Sequence, residues 1–104
     1  MKTISTDELK EKLDNDEVIL IDVLSEKSYE ESHISGAVNI PMKVIGTKAK
    51  ERYNKDDHIV VYCSGPDCQT SHTAAEKLDD LGFSNVYHYK GGKEKWSKAG
   101  YPME

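Results

Sequence analysis

Along this chain, short unbroken aliphatic runs take turns with segments whose apolar residues recur every three or four positions, the patterns of strands and helices respectively. The runs are Val18-Ile19-Leu20-Ile21-Asp22-Val23, His58-Ile59-Val60-Val61-Tyr62 and Val86-Tyr87-His88-Tyr89. The first two lack the polar–apolar alternation of a half-exposed strand, which suits strands buried on both faces of a parallel sheet. Ser5-Thr6-Asp7-Glu8 has capping-box spacing and Leu9 and Leu13 follow on one face, predicting a helix from about Thr6 to Asp14. Glu26 to Ser32 is polar and predicts a short helix. Gly36-Ala37-Val38-Asn39-Ile40-Pro41 offers a turn, a brief strand and a proline opening a helix that carries Met42, Ile45 and Ala49, weakened by Gly46. Ala74, Ala75, Leu78 and Leu81 stand at helical spacing, with Gly82 where a C-cap belongs. Gly91-Gly92 predicts a tight connection into a closing helix, Glu94 to Ala99, with Trp96 in the core. Strands separated by helical segments imply an α/β fold, a mostly parallel central sheet with helices on both faces. No linker, repeat or low-complexity stretch interrupts the pattern, so one domain is expected over residues 1–104.

At 104 residues there is room for one core. No stretch approaches the ~18 consecutive apolar residues of a membrane span. Met1 to Ser5 leads into a polar helix signal instead of a signal-peptide core, so the expected location is cytoplasmic, with no membrane partner. The 19 acidic residues outnumber the 14 basic ones for a net charge of -5. Arg52 is the only arginine, so no surface for neutralising phosphates is expected and nucleic acid is excluded as a leading partner. Cys63 and Cys68 are too few for a secreted disulfide scaffold; such a pair is more often reactive or metal-binding.

Cys63 follows a buried strand and precedes a helix, where open α/β sheets bind ligands. The loop runs Cys63-Ser64-Gly65-Pro66-Asp67-Cys68-Gln69-Thr70, and Ser71 is placed to cap the helix that follows. Gly65 would let the backbone curl until successive amides face the sulfur as a nest for an anion. Lowering a thiol pKa from about 8.5 to near 7 takes ~2 kcal/mol of preference for the thiolate. A helix dipole supplies roughly 0.3–1 kcal/mol, so about half must come from amide hydrogen bonds to sulfur. The plain alternative is that Cys63 is a small buried residue ending a strand. Cys63, Cys68 and His72 have a superficial zinc spacing, but structural zinc sites favour closer cysteine pairs and a fourth ligand is lacking, so no metal is expected. His72, near the first turn of the helix, is either a substrate contact or solvated.

The residues resemble those of the rhodanese-like sulfurtransferase domains. Leu20-Ile21-Asp22-Val23, Tyr29, and His33-Ile34 with Gly36-Ala37-Val38-Asn39-Ile40-Pro41 are similar to the family's N-terminal signature. Ile59-Val60-Val61-Tyr62-Cys63 resembles the strand leading to its active-site cysteine. Leu81-Gly82-Phe83, Val86, Lys90-Gly91-Gly92, Trp96 and Gly100-Tyr101-Pro102 resemble its C-terminal pattern. The resemblance implies a three-layer rhodanese-like fold and a cysteine persulfide cycle without cofactor. Cys63 would be the nucleophile, and Ser64, Gly65, Pro66, Asp67, Gln69, Thr70, Ser71 and His72 would surround the substrate. The implied partners are a small sulfur donor and a thiol or cyanide acceptor, a protein persulfide among them, with the chain working as a monomer or weak dimer.

Two departures change what the resemblance implies. Many members place arginines at the end of the cysteine loop and just after the Asp-Val segment, where this chain has Thr70 and Leu24. Without that fork for a sulfonate or phosphate, thiosulfate is the less expected donor, a thiol persulfide or polysulfide the more expected one, and a phosphatase is disfavoured. The loop also reads about two residues longer than in short-loop members. Cys68, the second departure, is a candidate resolving thiol, a sulfur recipient or an inert loop residue. His33 is expected to make a structural hydrogen bond, Asp22 to accept from backbone, and Tyr29, Trp96 and Tyr101 to pack; His58 and His88 suggest nothing specific. Two rival readings remain, a Cys63/Cys68 thiol–disulfide oxidoreductase or redox sensor and a catalytically silent binding module.

Overall fold

The computed structural model describes residues 2–104. In chain order the elements are β1 (Lys2–Thr3), α1 (Thr6–Asp14), β2 (Ile19–Asp22), α2 (Glu26–Glu31), β3 (Val38–Asn39), a 3-10 turn (Met42–Val44), α3 (Ile45–Arg52), β4 (His58–Tyr62), α4 (Thr70–Asp80), β5 (Asn85–His88) and α5 (Gly92–Lys98). The strands form one five-stranded sheet in the order β1-β5-β4-β2-β3, and every pairing is parallel. β4 lies at the centre, bonded to β2 with Asp22 opposite Tyr62 and to β5 with Val61 opposite His88.

The pleat sorts side chains between the two faces. Ile21, Val23, Ile59, Val61, Cys63 and Val86 pack with Ile45 and Ala49 of α3 and Ala74, Ala75 and Leu78 of α4. Leu20, Val60, Tyr62 and Tyr89 point the other way, onto Leu9 of α1 and Trp96 of α5. Helices therefore cover both faces, and the uninterrupted aliphatic runs follow from two buried faces. Among the described residues no helix is long and apolar enough to cross a membrane.

Local signals set the helix ends. Ser5 Oγ accepts from Glu8 N–H and Glu8 Oε1 accepts from Ser5 N–H, both at 3.2 Å, completing the predicted box. Gly82 adopts φ +96° just past α4, its N–H donating to Asp79 O while Phe83 N–H donates to Leu78 O, a Schellman closure that seats Phe83 in the core. Several boundaries differ from expectation: β5 runs Asn85–His88 instead of Val86 to Tyr89, and α5 begins at Gly92, two residues before the expected Glu94. The helix after Pro41 begins as a 3-10 turn and becomes α-helical at Ile45. Lys2–Thr3 forms an unpredicted edge strand, because two residues have no periodicity and this strand exists only through β5. α4 starts at Thr70 with Gln69 at the N-cap, so Ser71 lies inside the helix and is not its cap.

Candidate active site

Cys63 sits one residue beyond the C-terminal end of β4, and the pleat that carries Ile59 and Val61 turns it toward α4, where it is 1% exposed. The chain then reverses: Cys68 N–H donates to Gly65 O at 3.0 Å, with Pro66 in the second position of that turn, which its fixed φ favours. The turn carries Cys68 back, and the two cysteines form a disulfide with Cα atoms 6.4 Å apart.

The first turn of α5 fastens the loop from below. Lys93 N–H donates to Cys63 O at 3.1 Å and Glu94 N–H to Ser64 O at 2.9 Å, so unpaired amides of a helix N-terminus find carbonyls in the cysteine loop. Gly92, at φ +63°, makes this approach possible, since a Cβ there would lie 2.6 Å from Cys63 O and from Gly65 N.

Besides Cys68 Sγ, two oxygens lie within hydrogen-bonding distance of the Cys63 sulfur. Ser71 Oγ is 3.1 Å away and Cys68 O 3.4 Å. Ser71 Oγ is in turn 2.7 Å from His88 Nε2. Ser71 and His88 are 1% and 5% exposed, so a polar chain runs under the loop from sulfur to imidazole. Burial, reinforced by the charges of His72 and Lys90, holds His88 below its ordinary pKa and so neutral near pH 7.

These positions revise the sequence reading in three respects. Among the described residues, no amide of Ser64 to Thr70 donates to Cys63 Sγ. The sulfur is bonded to Cys68 and carries no charge for amides to converge on, and the turn spends the Cys68 amide on Gly65 O. Ser71, expected as a cap, instead directs its hydroxyl at the sulfur. His88, expected to do nothing specific, is buried beside the site. Its signal was present in the period of β5: Val86 and His88 share the face of Cys63, while Tyr87 and Tyr89 take the other.

Of the expected substrate contacts, Pro66, Gln69 and His72 line one pocket of about 300 Å³ together with Thr3, Cys68, His88 and Lys90. Ser64, Gly65, Asp67, Thr70 and Ser71 do not line it. Cys68, half-buried, is therefore the sulfur that faces the pocket. His72 Nε2 pairs with Glu76 at 3.4 Å. Thr70 opens α4, and Leu24 packs against the core with its carbonyl accepting from Asn39. Among the described residues no group of three or more His, Cys, Asp or Glu is disposed to hold a metal.

The supporting residues behave as expected. Asp22 accepts from Leu24 N–H at 2.9 Å and also from Tyr62 O–H at 2.8 Å. His33 Nδ1 lies 2.8 Å from Tyr29 O, and the two rings stack. Trp96 is buried, and its Nε1–H donates to Pro102 O.

Comparison with known proteins agrees with this architecture. The thiosulfate sulfurtransferase GlpE of Coxiella burnetii is 34% identical over 97% of this chain and 91% of its own length. The putative sulfur carrier protein YrkF of Bacillus subtilis is 33% identical over 90% of this chain, which spans 50% of that relative. The crystal structure of the BH2092 protein from Bacillus halodurans superposes with a TM-score of 0.91 at 31% identity, covering 99% of this chain and 76% of that one. The sequence model of the rhodanese-like domain matches residues 5–99, nearly the whole sheet and its helices, and the chain belongs to that family.

Proposed function

We propose that the protein is a sulfurtransferase in which Cys63 carries the transferred sulfur as a persulfide. The observation that supports this most is the placement of the Cys63 sulfur at the end of the central strand, against Ser71 Oγ and within bonding reach of Cys68. The Cys63 thiolate attacks the outer sulfur of a donor RS–SH; RS⁻ leaves, and an acceptor thiol or cyanide then removes the outer sulfur and returns the thiolate. Cys68 resolves the persulfide when no acceptor arrives: its thiolate attacks Cys63 Sγ, HS⁻ departs, and the disulfide remains until an external thiol reduces it by exchange.

The favoured donor is a thiol persulfide or polysulfide. GlpE is named for thiosulfate. In this chain, however, Thr70 and Leu24 stand where an arginine fork would hold a sulfonate, and the pocket beside Cys68 contains one lysine, Lys90, and no arginine. A protein persulfide is a further candidate, in keeping with the sulfur-carrier relative. The test is cyanolysis with thiosulfate and with a thiol persulfide, using wild type, Cys63→Ser and Cys68→Ser. Thiocyanate should form faster from the persulfide and only when Cys63 is present; turnover by Cys63→Ser would refute the assignment.

The disulfide favours one second reading, a thiol–disulfide oxidoreductase or redox sensor. A redox titration of free thiols separates the two. A reversible two-electron transition in a protein that gives no thiocyanate supports this alternative.

A further inference from the structure

We propose that Ser71 and His88 form a buried proton relay for Cys63 in the reduced protein: Ser71 Oγ, 3.1 Å from the sulfur in the disulfide form, takes the thiol proton while its own proton passes to His88 Nε2, 2.7 Å further on. In this step the S–H bond breaks as a new O–H bond forms, and the original O–H bond breaks as an N–H bond forms. No electron is transferred. The products are a thiolate that accepts a hydrogen bond from Ser71 and an imidazolium beneath it. The relay deepens the sulfurtransferase reading and takes its purpose from it, since the thiolate is the form that attacks a donor.

The orientation of Ser71 argues against a merely structural hydroxyl. A helical serine or threonine with no other task bonds the carbonyl four residues back, as Thr73 does with Gln69 O at 3.2 Å in this same helix. Ser71, two residues earlier, instead points across to β5 and β4. It thereby joins two side chains that the sheet register brings close, since His88 pairs with Val61 and Cys63 lies two residues beyond Val61. Cys63 is 1% exposed in the disulfide form, so a thiol at this position has Ser71 Oγ as a nearer proton acceptor than bulk water.

The groups facing His88 set its resting protonation state. His72 of α4 meets its ring edge-on at 5.6 Å and pairs with Glu76, Lys90 follows β5, the cysteine pair lies on the loop after β4, and β1 offers only Thr3, opposite His88 in the sheet. Burial together with the two nearby bases keeps His88 unprotonated while the sulfur is neutral, so its Nε2 has a lone pair free to accept. A thiolate would reverse that preference, so the two groups should titrate as a coupled pair.

Nuclear magnetic resonance of His88 in the wild-type protein tests this without any substitution. The imidazole should titrate at higher pH in the reduced protein than in the disulfide form. In a Cys68→Ser background, thiolate ultraviolet absorbance should report Cys63 alone. Adding Ser71→Ala or His88→Gln should raise its midpoint by about one pH unit, a roughly tenfold loss of thiolate near neutral pH. An identical His88 midpoint in both redox states, or a Cys63 midpoint unmoved by Ser71→Ala, would overturn the relay. Sulfur loading measured on the same samples separates the two claims: coupling without loading sinks the sulfurtransferase reading, and loading without coupling sinks only the relay.

Discussion

Asp22 is a carboxylate with 0% exposure at the C-terminal end of β2. Burial raises its pKa above the ordinary 3.8, opposed by the Leu24 N–H, the Tyr62 O–H and the charge of Lys93. The folded chain therefore binds this proton more tightly than the unfolded chain does. Its contribution to stability is present in full below about 3.8 and is lost as pH rises through the raised folded value. Asp22→Asn should flatten that part of the stability–pH curve, as measured by urea unfolding across acidic pH. Tyr62 O–H donates to Asp22 while its oxygen accepts from Ile34 N–H at 3.0 Å, so one buried hydroxyl serves two groups. Tyr62→Phe leaves a buried acceptor and a buried donor unpaired and should cost about 2–4 kcal/mol in urea unfolding.

Among the elements, the contact of α5 with the cysteine loop sets the geometry of the site. Gly92→Ala places a methyl group against Cys63 O and Gly65 N at a φ that alanine rarely adopts. The substitution should lower stability by about 1–3 kcal/mol and loosen the loop, seen as faster reduction of the disulfide by an external thiol. The elements legible in the sequence are those whose cause is local: the capping box at Ser5 and Glu8, the Gly82 closure of α4, and the aliphatic runs of β2 and β4. β1 and the amide expectation were not legible. The first depends on a partner strand distant in sequence, and the second on a turn that closes Cys68 onto Cys63 instead of opening a ring of amides. Ser71 was placed on the right helix and given the wrong task, because its partner His88 comes from a different element.

At the scale of the whole molecule, the parallel sheet brings Cys63, Ser71 and His88 from three separate segments to one end of β4, next to the pocket that Cys68 and His88 line. The net charge of -5 and the solitary Arg52, exposed on α3, leave little to attract a small dianion. Thr70→Arg should therefore raise kcat/KM for thiosulfate severalfold while changing persulfide turnover less, in the same cyanolysis assay. The most direct measurement of the central claim is peptide-level mass spectrometry after reduced protein meets a thiol persulfide. One added sulfur on the Cys63 peptide, absent from Cys63→Ser, is the predicted result. Sulfur found on Cys68 alone, or retained in Cys63→Ser, would contradict it.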